Sequence, residues 1–77
     1  MKIKCGKKEY YLTPSDRIVY DGATYQLITR TIQKGKQTIT PVVAKVTADR
    51  LIQERALVLA KKEKRDGVEL LYYKLAT

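Results

Sequence analysis

The chain has 77 residues, with 16 lysines and arginines, 8 aspartates and glutamates and no histidine, which gives a formal net charge of +8. This length predicts a single domain over residues 1–77. The lack of histidine, the single serine Ser15 and the isolated glycines argue against acid–base catalysis, an activated nucleophile and a glycine-rich phosphate loop, so we expect a protein that is not an enzyme.

The first residues predict two short β segments. Residues 1–8 are basic, with Ile3 as their clear apolar anchor, and we expect an edge strand or a loose arm there. Residues 9–13 contain Tyr10 and Tyr11 and predict a strand, because aromatic residues favour strands. Neighbouring side chains in a strand point to opposite faces, so one of these rings is expected in the core and the other in solvent.

The most specific local signal is the pair Asp21-Gly22, which lies within residues 17–32 between two apolar, β-prone runs. A two-residue turn of this composition is typical of a β-hairpin. In that register the opposed pairs would be Tyr20 with Ala23, Val19 with Thr24 and Ile18 with Tyr25. Side-chain alternation then places one apolar set on a common face, which we predict to be core: Ile18, Tyr20, Ala23, Tyr25 and Leu27.

A second hairpin is predicted around Gly35. Residues 33–36 form its turn, and residues 37–40 return antiparallel to the end of the previous strand. The hairpin is polar, so it is either an ordinary solvated hairpin or an arm that projects past the core and carries Arg30, Lys34 and Lys36.

The next segment predicts a buried connection and the start of a helix. Pro41 lacks a backbone donor and ends the pairing, and the valines of residues 41–46 predict a buried strand or connection. Thr47 is expected to cap the helix, with Asp49 in its first turn, where a carboxylate is favoured.

The extent of this helix is the main choice that the sequence leaves. Intrinsic propensity favours one helix over residues 48–65. Such a helix would place charged side chains within the stripe of Leu51 and Val58, whereas a surface helix keeps one apolar stripe. We therefore predict a short helix over residues 47–55, followed by a C-terminal hairpin turned by Asp66-Gly67. The opposed pairs would be Lys64 with Glu69, Ala60 with Tyr73 and Val58 with Leu75.

Together these elements predict an α+β fold: a small domain of antiparallel β-hairpins with one short helix and a C-terminal β-hairpin. The predicted core is Leu12, Ile18, Tyr20, Tyr25, Leu27, Val43, Val46, Leu51, Ile52, Leu59, Leu70 and Tyr73.

The basic residues are clustered along the chain. Clustered positive charge favours polyanions such as nucleic acid, and it also keeps a protein soluble. We predict a nucleic-acid-binding surface made of a basic hairpin and a helix, with the candidate residues Arg50, Arg55, Lys61, Lys62, Lys64, Arg65, Lys34 and Lys36. The alternative is a protein-interaction module, an inhibitor of an acidic protein or a homodimer, because exposed tyrosine, arginine and β edges also suit protein interfaces.

Tyrosine rings interleaved with lysine offer a second route to nucleic acid. Unpaired bases stack on exposed aromatic rings beside a positively charged groove. Each of the pairs Tyr10-Tyr11 and Tyr72-Tyr73 is expected to place one ring outward. The alternative is that the outward ring covers lysine stems or fills a dimer interface.

The stretch TADRLIQERALVLAKKEKRDGVELLYYKL, residues 47–75, resembles the last helix and wing of winged-helix domains. The resemblance implies that the wing cations contact phosphates and that the helix reads the major groove. The wing would comprise Lys61, Lys62, Lys64 and Arg65, and the exposed helix face Arg50, Gln53 and Arg55. The region before this stretch is β-like, so the two preceding helices of that family are missing.

Two stretches, LTPSDRIVYDGATYQLITR and TPVVAKVTADRLIQE, resemble small uncharacterised proteins of Gram-positive phages and integrating elements. The resemblance implies an accessory protein of a mobile element, a setting in which DNA binders and protein inhibitors are both common.

Cys5 is the only cysteine, and a lone thiol predicts neither an internal disulfide nor a metal site. The start, MKIKCGKKEY, has no apolar stretch of the kind found in signal peptides, and no run approaches the roughly 20 apolar residues of a membrane-spanning helix. We expect a cytoplasmic protein with no metal, no cofactor and no membrane partner.

Overall fold

The structure is a computed structural model that describes residues 1–76, and every strand pair in it is antiparallel. The first strands are β1 (Lys2–Cys5), β2 (Lys8–Tyr11), β3 (Ile18–Tyr20), β4 (Tyr25–Leu27), β5 (Ile32–Lys34) and β6 (Gln37–Ile39), with a 3₁₀ helix over Ile28–Arg30. The chain continues through β7 (Val42–Val43), the helix α1 (Lys45–Gln53), β8 (Leu57–Arg65) and β9 (Val68–Leu75). The predicted α+β fold, with one short helix and a C-terminal hairpin, is therefore confirmed.

The strands form a five-stranded sheet in the order β7-β4-β3-β9-β8 and two separate hairpins, β1-β2 and β5-β6. Residues 1–8, predicted as an edge strand or a loose arm, are thus an ordered strand and its turn. Strand β3 pairs with β9 only between Tyr20↔Leu71 and Ile18↔Tyr73. The far half of the β8-β9 hairpin, from residue 63 to residue 70, extends past β3 as a two-stranded ribbon, with Lys62 opposite Leu71 at its base.

The core lies on one face of the five-stranded sheet, where α1 and the β1-β2 hairpin pack. Its buried residues are Ile3, Cys5, Leu12, Ile18, Tyr25, Leu27, Val43, Ala48, Leu51 and Leu57, and the half-buried Tyr10, Tyr20, Ile52 and Tyr73 pack against them. Burial raises the pKa of the Cys5 thiol. The prediction was wrong for three core residues. Val46 is 81% exposed and Leu59 is 44% exposed, while Leu70 pairs with Glu63 on the opposite face of the sheet and is only half-buried.

The turn of the β3-β4 hairpin lies one residue later than predicted. Tyr20 pairs with Tyr25 rather than with Ala23, and Ala23 is exposed in the loop. The Asp21 carboxylate accepts hydrogen bonds of 2.9 Å from the backbone N–H groups of Ala23 and Thr24, and these bonds lower its pKa. Asp21 thus holds the loop from its first position, and Gly22 follows with a φ of 97°. Moving the turn by one residue shifts the pairing by two, so the predicted core face of Ile18 and Leu27 is preserved.

The β8-β9 hairpin has the predicted turn but a different register at its base. Asp66 and Gly67 both have positive φ values, 52° and 80°, as a primed two-residue turn requires, and Lys64 lies opposite Glu69 as predicted. A β-bulge at Ala60 then shifts the register, so that Leu59 opposes Tyr73 and Leu57 opposes Leu75. The predicted pairs of Ala60 with Tyr73 and Val58 with Leu75 are therefore wrong.

Helix α1 begins and ends two residues before the predicted bounds of 47–55. Its N-cap is Ala44, which makes no side-chain capping bond, so Thr47 is not the cap. The predicted role of Asp49 in the first turn was also wrong, since Asp49 lies mid-helix and accepts a 3.0 Å hydrogen bond from the Tyr25 hydroxyl. Burial, and then this carboxylate, raise the pKa of Tyr25. The contact ties the helix to the sheet.

A buried carboxylate links the turn before β3 to the 3₁₀ helix. Asp16 is 5% exposed and accepts hydrogen bonds from the Arg30 Nε, at 3.0 Å, and from the Thr13 N–H and the Thr29 hydroxyl. Arg30 Nη2 also donates to the carbonyl oxygen of Tyr11 at 2.8 Å. The alternative in which Arg30 belongs to a projecting basic arm therefore does not hold, because its guanidinium links the 3₁₀ helix to this carboxylate and to β2.

Candidate nucleic-acid interface

The four predicted cations of the β8-β9 hairpin lie on two different faces. Lys61 and Arg65 share one face with Glu63, because these positions alternate along β8. Lys61 Nζ lies 3.3 Å from Glu63 Oε2, and Arg65 Nη2 lies 2.6 Å from Glu63 Oε1. The Arg65 guanidinium, followed by the Lys61 ammonium, lowers the pKa of the Glu63 carboxyl. Two of the four predicted cations on this hairpin therefore already share one carboxylate.

Lys62 and Lys64 point to the other face. Their partners in register, Leu71 and Glu69, lie on the same side of β9 as Tyr73, so both lysines project from the face on which α1 packs. Both are exposed, and neither takes part in an ion pair within 4 Å among residues 1–76. The ribbon thus has a paired face and a face with two available ammonium groups.

The two predicted arginines of the helix region are exposed at the end of α1 that leads into β8. Arg50 Nε lies 4.0 Å from Glu54 Oε1, in an exposed pair. Arg55 has a φ of 60°, and the flanking bonds from the Arg55 N–H to the Ile52 oxygen and from the Ala56 N–H to the Leu51 oxygen are those of a Schellman C-cap. Glycine is the usual residue at that position, so an arginine there adopts an unfavourable backbone conformation.

Lys34 and Lys36, the remaining predicted residues, lie elsewhere. Both are exposed, and the β5-β6 hairpin that carries them forms a sheet of its own. Its outward pair of Ile32 and Ile39 is also exposed. The predicted site residues therefore occupy three elements, of which only α1 and β8 pack against each other closely.

The tyrosine pairs divide between the two faces of their strands, as predicted. Tyr73 packs against the core, while Tyr72 lies on the opposite face, where Lys61 Nζ is 5.5 Å from its ring centroid. Tyr10 packs against the core and Tyr11 is 64% exposed.

A basic surface on the β1-β2 hairpin was missing from the predicted site. Lys2 and Lys4 point outward from β1, because Ile3 and Cys5 turn into the core, and Lys2 lies opposite the exposed Tyr11. The alternation of lysine with Ile3 and Cys5 before Gly6 is a signal that could have identified an amphipathic strand there.

Within residues 1–76 there is no cavity, and no group of three or more metal-ligating side chains. The same residues contain no helix of sufficient length and apolar character to cross a membrane. A comparison with protein-family models gave no match, and comparisons with curated proteins and with solved structures gave none either.

Proposed function

We propose that this protein is a non-catalytic nucleic-acid-binding accessory protein, whose binding surface is formed by the α1 side of the β8-β9 ribbon and the end of α1. The observation that carries the proposal is the ribbon itself, which extends past β3 and presents Lys62, at its base, and Lys64 on one face, outside the ion pairs formed among residues 1–76. A two-stranded ribbon fits the major groove of duplex DNA. Lysine and arginine supply most contacts to phosphates, which position a protein on nucleic acid.

The alternative explanation for these lysines is protection of a sheet edge. Strand β8 is the outer strand of the five-stranded sheet and exposes Val58 and Leu59. Lysine on an edge strand prevents pairing with other chains. This explanation predicts self-association when the lysines are removed, whereas the nucleic-acid proposal predicts loss of a ligand.

Replacing Lys62 and Lys64 together by glutamine tests the proposal. Removing one lysine–phosphate interaction lowers the slope of log K against log salt by about 0.9, so the slope for the K62Q/K64Q variant should be smaller by about 2. The measurement is fluorescence anisotropy with labelled duplex DNA, single-stranded DNA and RNA at about 50 and about 200 mM salt.

The matched control is K61Q/R65Q, which removes the same formal charge from the opposite face, where Glu63 already pairs with both cations. Its slope should change by less than about 1. Equal decreases of the salt slope in the two variants would show that binding depends only on the total charge of the protein. No binding by the unmodified protein at the lower salt would refute the proposal and leave the protein-partner alternative, and self-association of K62Q/K64Q with unchanged binding would support edge protection.

Arg55→Gly separates binding from folding. Glycine adopts positive φ without the clash of a Cβ atom but loses more chain entropy on folding, so the free energy of unfolding should be unchanged or rise by up to about 1 kcal/mol. The nucleic-acid salt slope should fall by about 1. Urea unfolding and the same anisotropy assay measure the two effects, with Arg50→Gln as a control that removes a guanidinium without a backbone change. Unchanged affinity in Arg55→Gly would place this arginine outside the interface.

A further inference from the structure

The outward face of the β1-β2 hairpin combines an exposed aromatic ring with an excess of positive charge. Tyr11 is 64% exposed, which is the largest exposure among the aromatic side chains of residues 1–76. Its partner across the strands is Lys2, and the diagonal neighbour on the same face is Lys4. The outward face thus carries Lys2 and Lys4 against the single carboxylate of Glu9, which lies opposite Lys4, and Lys7 adds a further cation in the turn.

The backbone that carries this ring is held in place. Arg30 Nη2 donates a 2.8 Å hydrogen bond to the Tyr11 carbonyl oxygen, and Asp16 holds the same guanidinium. The next residue, Leu12, is buried, and its N–H bonds to the Met1 oxygen at 2.6 Å. A ring on a fixed strand loses little freedom when a ligand covers it, which favours binding.

Tyr10, the other tyrosine of β2, already contacts the core and a lysine, whereas the ring of Tyr11 makes no such contact within residues 1–76. Tyr10 packs against the core and lies 5.5 Å from Lys8 Nζ, measured to the ring centroid. Neither an aromatic pair nor a cation within this distance involves the Tyr11 ring among the described residues. Tyr11 therefore offers an unoccupied π-face on the same face of the hairpin as Lys2 and Lys4.

We propose that Tyr11, Lys2 and Lys4 form a site for single-stranded nucleic acid, in which one unpaired base stacks on the Tyr11 ring and the two lysines contact the flanking phosphates. Every base has a π-face, and single strands are bound by such rings beside a basic track. In a duplex the base faces are covered by stacking, so this site selects unpaired nucleotides. It lies on a hairpin separate from the β8-β9 ribbon and does not rest on the function proposed for that ribbon.

The test is a cycle that removes the base and the ring separately. The probes are a short labelled thymidine oligonucleotide and an abasic oligonucleotide of the same length, titrated by anisotropy. Stacking of one base on an aromatic ring predicts that Tyr11→Leu weakens thymidine binding about 5- to 150-fold and leaves abasic binding unchanged. Tyr11→Phe keeps the ring and should bind both probes as the unmodified protein does.

The charge contribution is tested with K2Q/K4Q and its matched control K7Q/K8Q. The first variant should weaken both probes and lower the salt slope by about 1.4, since each lysine bound to a single-strand phosphate contributes about 0.7. The control should lower the slope less, because Lys7 lies in the turn and Lys8 is placed over Tyr10. Thermal unfolding of each variant checks that the fold is intact.

Several outcomes would overturn the site. Thymidine binding that is unchanged in Tyr11→Leu would exclude stacking, and an equal loss for the thymidine and abasic probes would assign the ring a role in folding alone. If the thymidine probe does not bind at about 50 mM salt, the nucleic-acid site is refuted, and an acidic protein surface becomes the expected ligand of this face. If Tyr11→Leu no longer weakens thymidine binding in the K62Q/K64Q background, the two surfaces are one site. If it still does, this proposal stands even if the ribbon binds nothing.

Discussion

Replacing Asp16 by alanine is expected to lower the free energy of unfolding by about 2–4 kcal/mol, because the carboxylate is buried and accepts hydrogen bonds from charged and neutral donors. The substitution also leaves the Thr13 N–H and the Thr29 hydroxyl without this acceptor. Asp16 connects the turn before β3, the 3₁₀ helix and, through Arg30, strand β2. Urea unfolding of Asp16→Ala and of the isosteric Asp16→Asn measures the effect.

The same carboxylate predicts a pH dependence. The Arg30 guanidinium, followed by the Thr29 and Thr13 donors, holds the pKa of Asp16 well below its usual range. An aspartate in an unfolded chain has a pKa of about 3.9. The unfolded chain therefore takes up the proton at a higher pH than the folded protein does. The stabilisation by Asp16 is therefore complete above about pH 5 and is lost progressively as the pH falls through and below the range in which an unfolded aspartate titrates. The difference in unfolding free energy between the unmodified protein and Asp16→Asn should shrink as the pH is lowered from about 5.

The control for both experiments is Asp66→Asn, which makes the same change of charge at an exposed turn. Asparagine tolerates the positive φ of Asp66, so its effect should stay within about 0.5 kcal/mol. Equal effects at the two positions, or a difference for Asp16→Asn that does not vary with pH, would contradict the central role of this carboxylate.

The hairpins and the short helix could be predicted because their signals are local. Asp66-Gly67 suits a turn in which both residues have positive φ, and the structure has that turn. The charged positions that interrupt a longer helix favoured a stop near residue 55, and the Schellman motif with its positive-φ residue at Arg55 agrees. The β3-β4 face was also predictable despite the shifted turn, since a two-residue shift keeps each side chain on its face.

The interactions that bridge distant segments were not predictable in this way. Arg30 and Asp16 are 14 residues apart, and neither periodicity nor propensity relates them, so Arg30 was interpreted as a surface cation. The ion pairs within the candidate site could be predicted in part. Lys61, Glu63 and Arg65 alternate on one strand, and that spacing alone places both cations beside the carboxylate.

The bulge at Ala60 shows a different limit. One extra residue in a long strand leaves composition and propensity unchanged, yet it moves the side chains on its N-terminal side to the opposite face. The predicted register placed Val58 opposite Leu75, whereas the bulge gives that position to Leu57, which becomes the buried residue of β8. Alternation predicts faces correctly only where the ladder is regular.

The pair Leu57→Ala and Val58→Ala tests that register directly. Leu57 is 2% exposed and Val58 is 36% exposed. Truncating a buried leucine costs about 2–5 kcal/mol through lost transfer free energy and a residual cavity, so Leu57→Ala should unfold at far lower urea concentration. Val58→Ala should cost less than about 1 kcal/mol, because much of its side chain remains in water in the folded protein.

Leu59→Ala is the matched control, because it removes the same atoms as Leu57→Ala from the same strand, two residues away. Leu59 opposes Tyr73 and is 44% exposed, so its truncation should also cost less than about 1 kcal/mol. Equal costs for the two leucines would mean that the loss of leucine from β8, and not burial at Leu57, sets the effect. If Val58→Ala lowers the free energy of unfolding more than Leu57→Ala does, the strand pairing is regular, with Val58 opposite Leu75 and no bulge at Ala60.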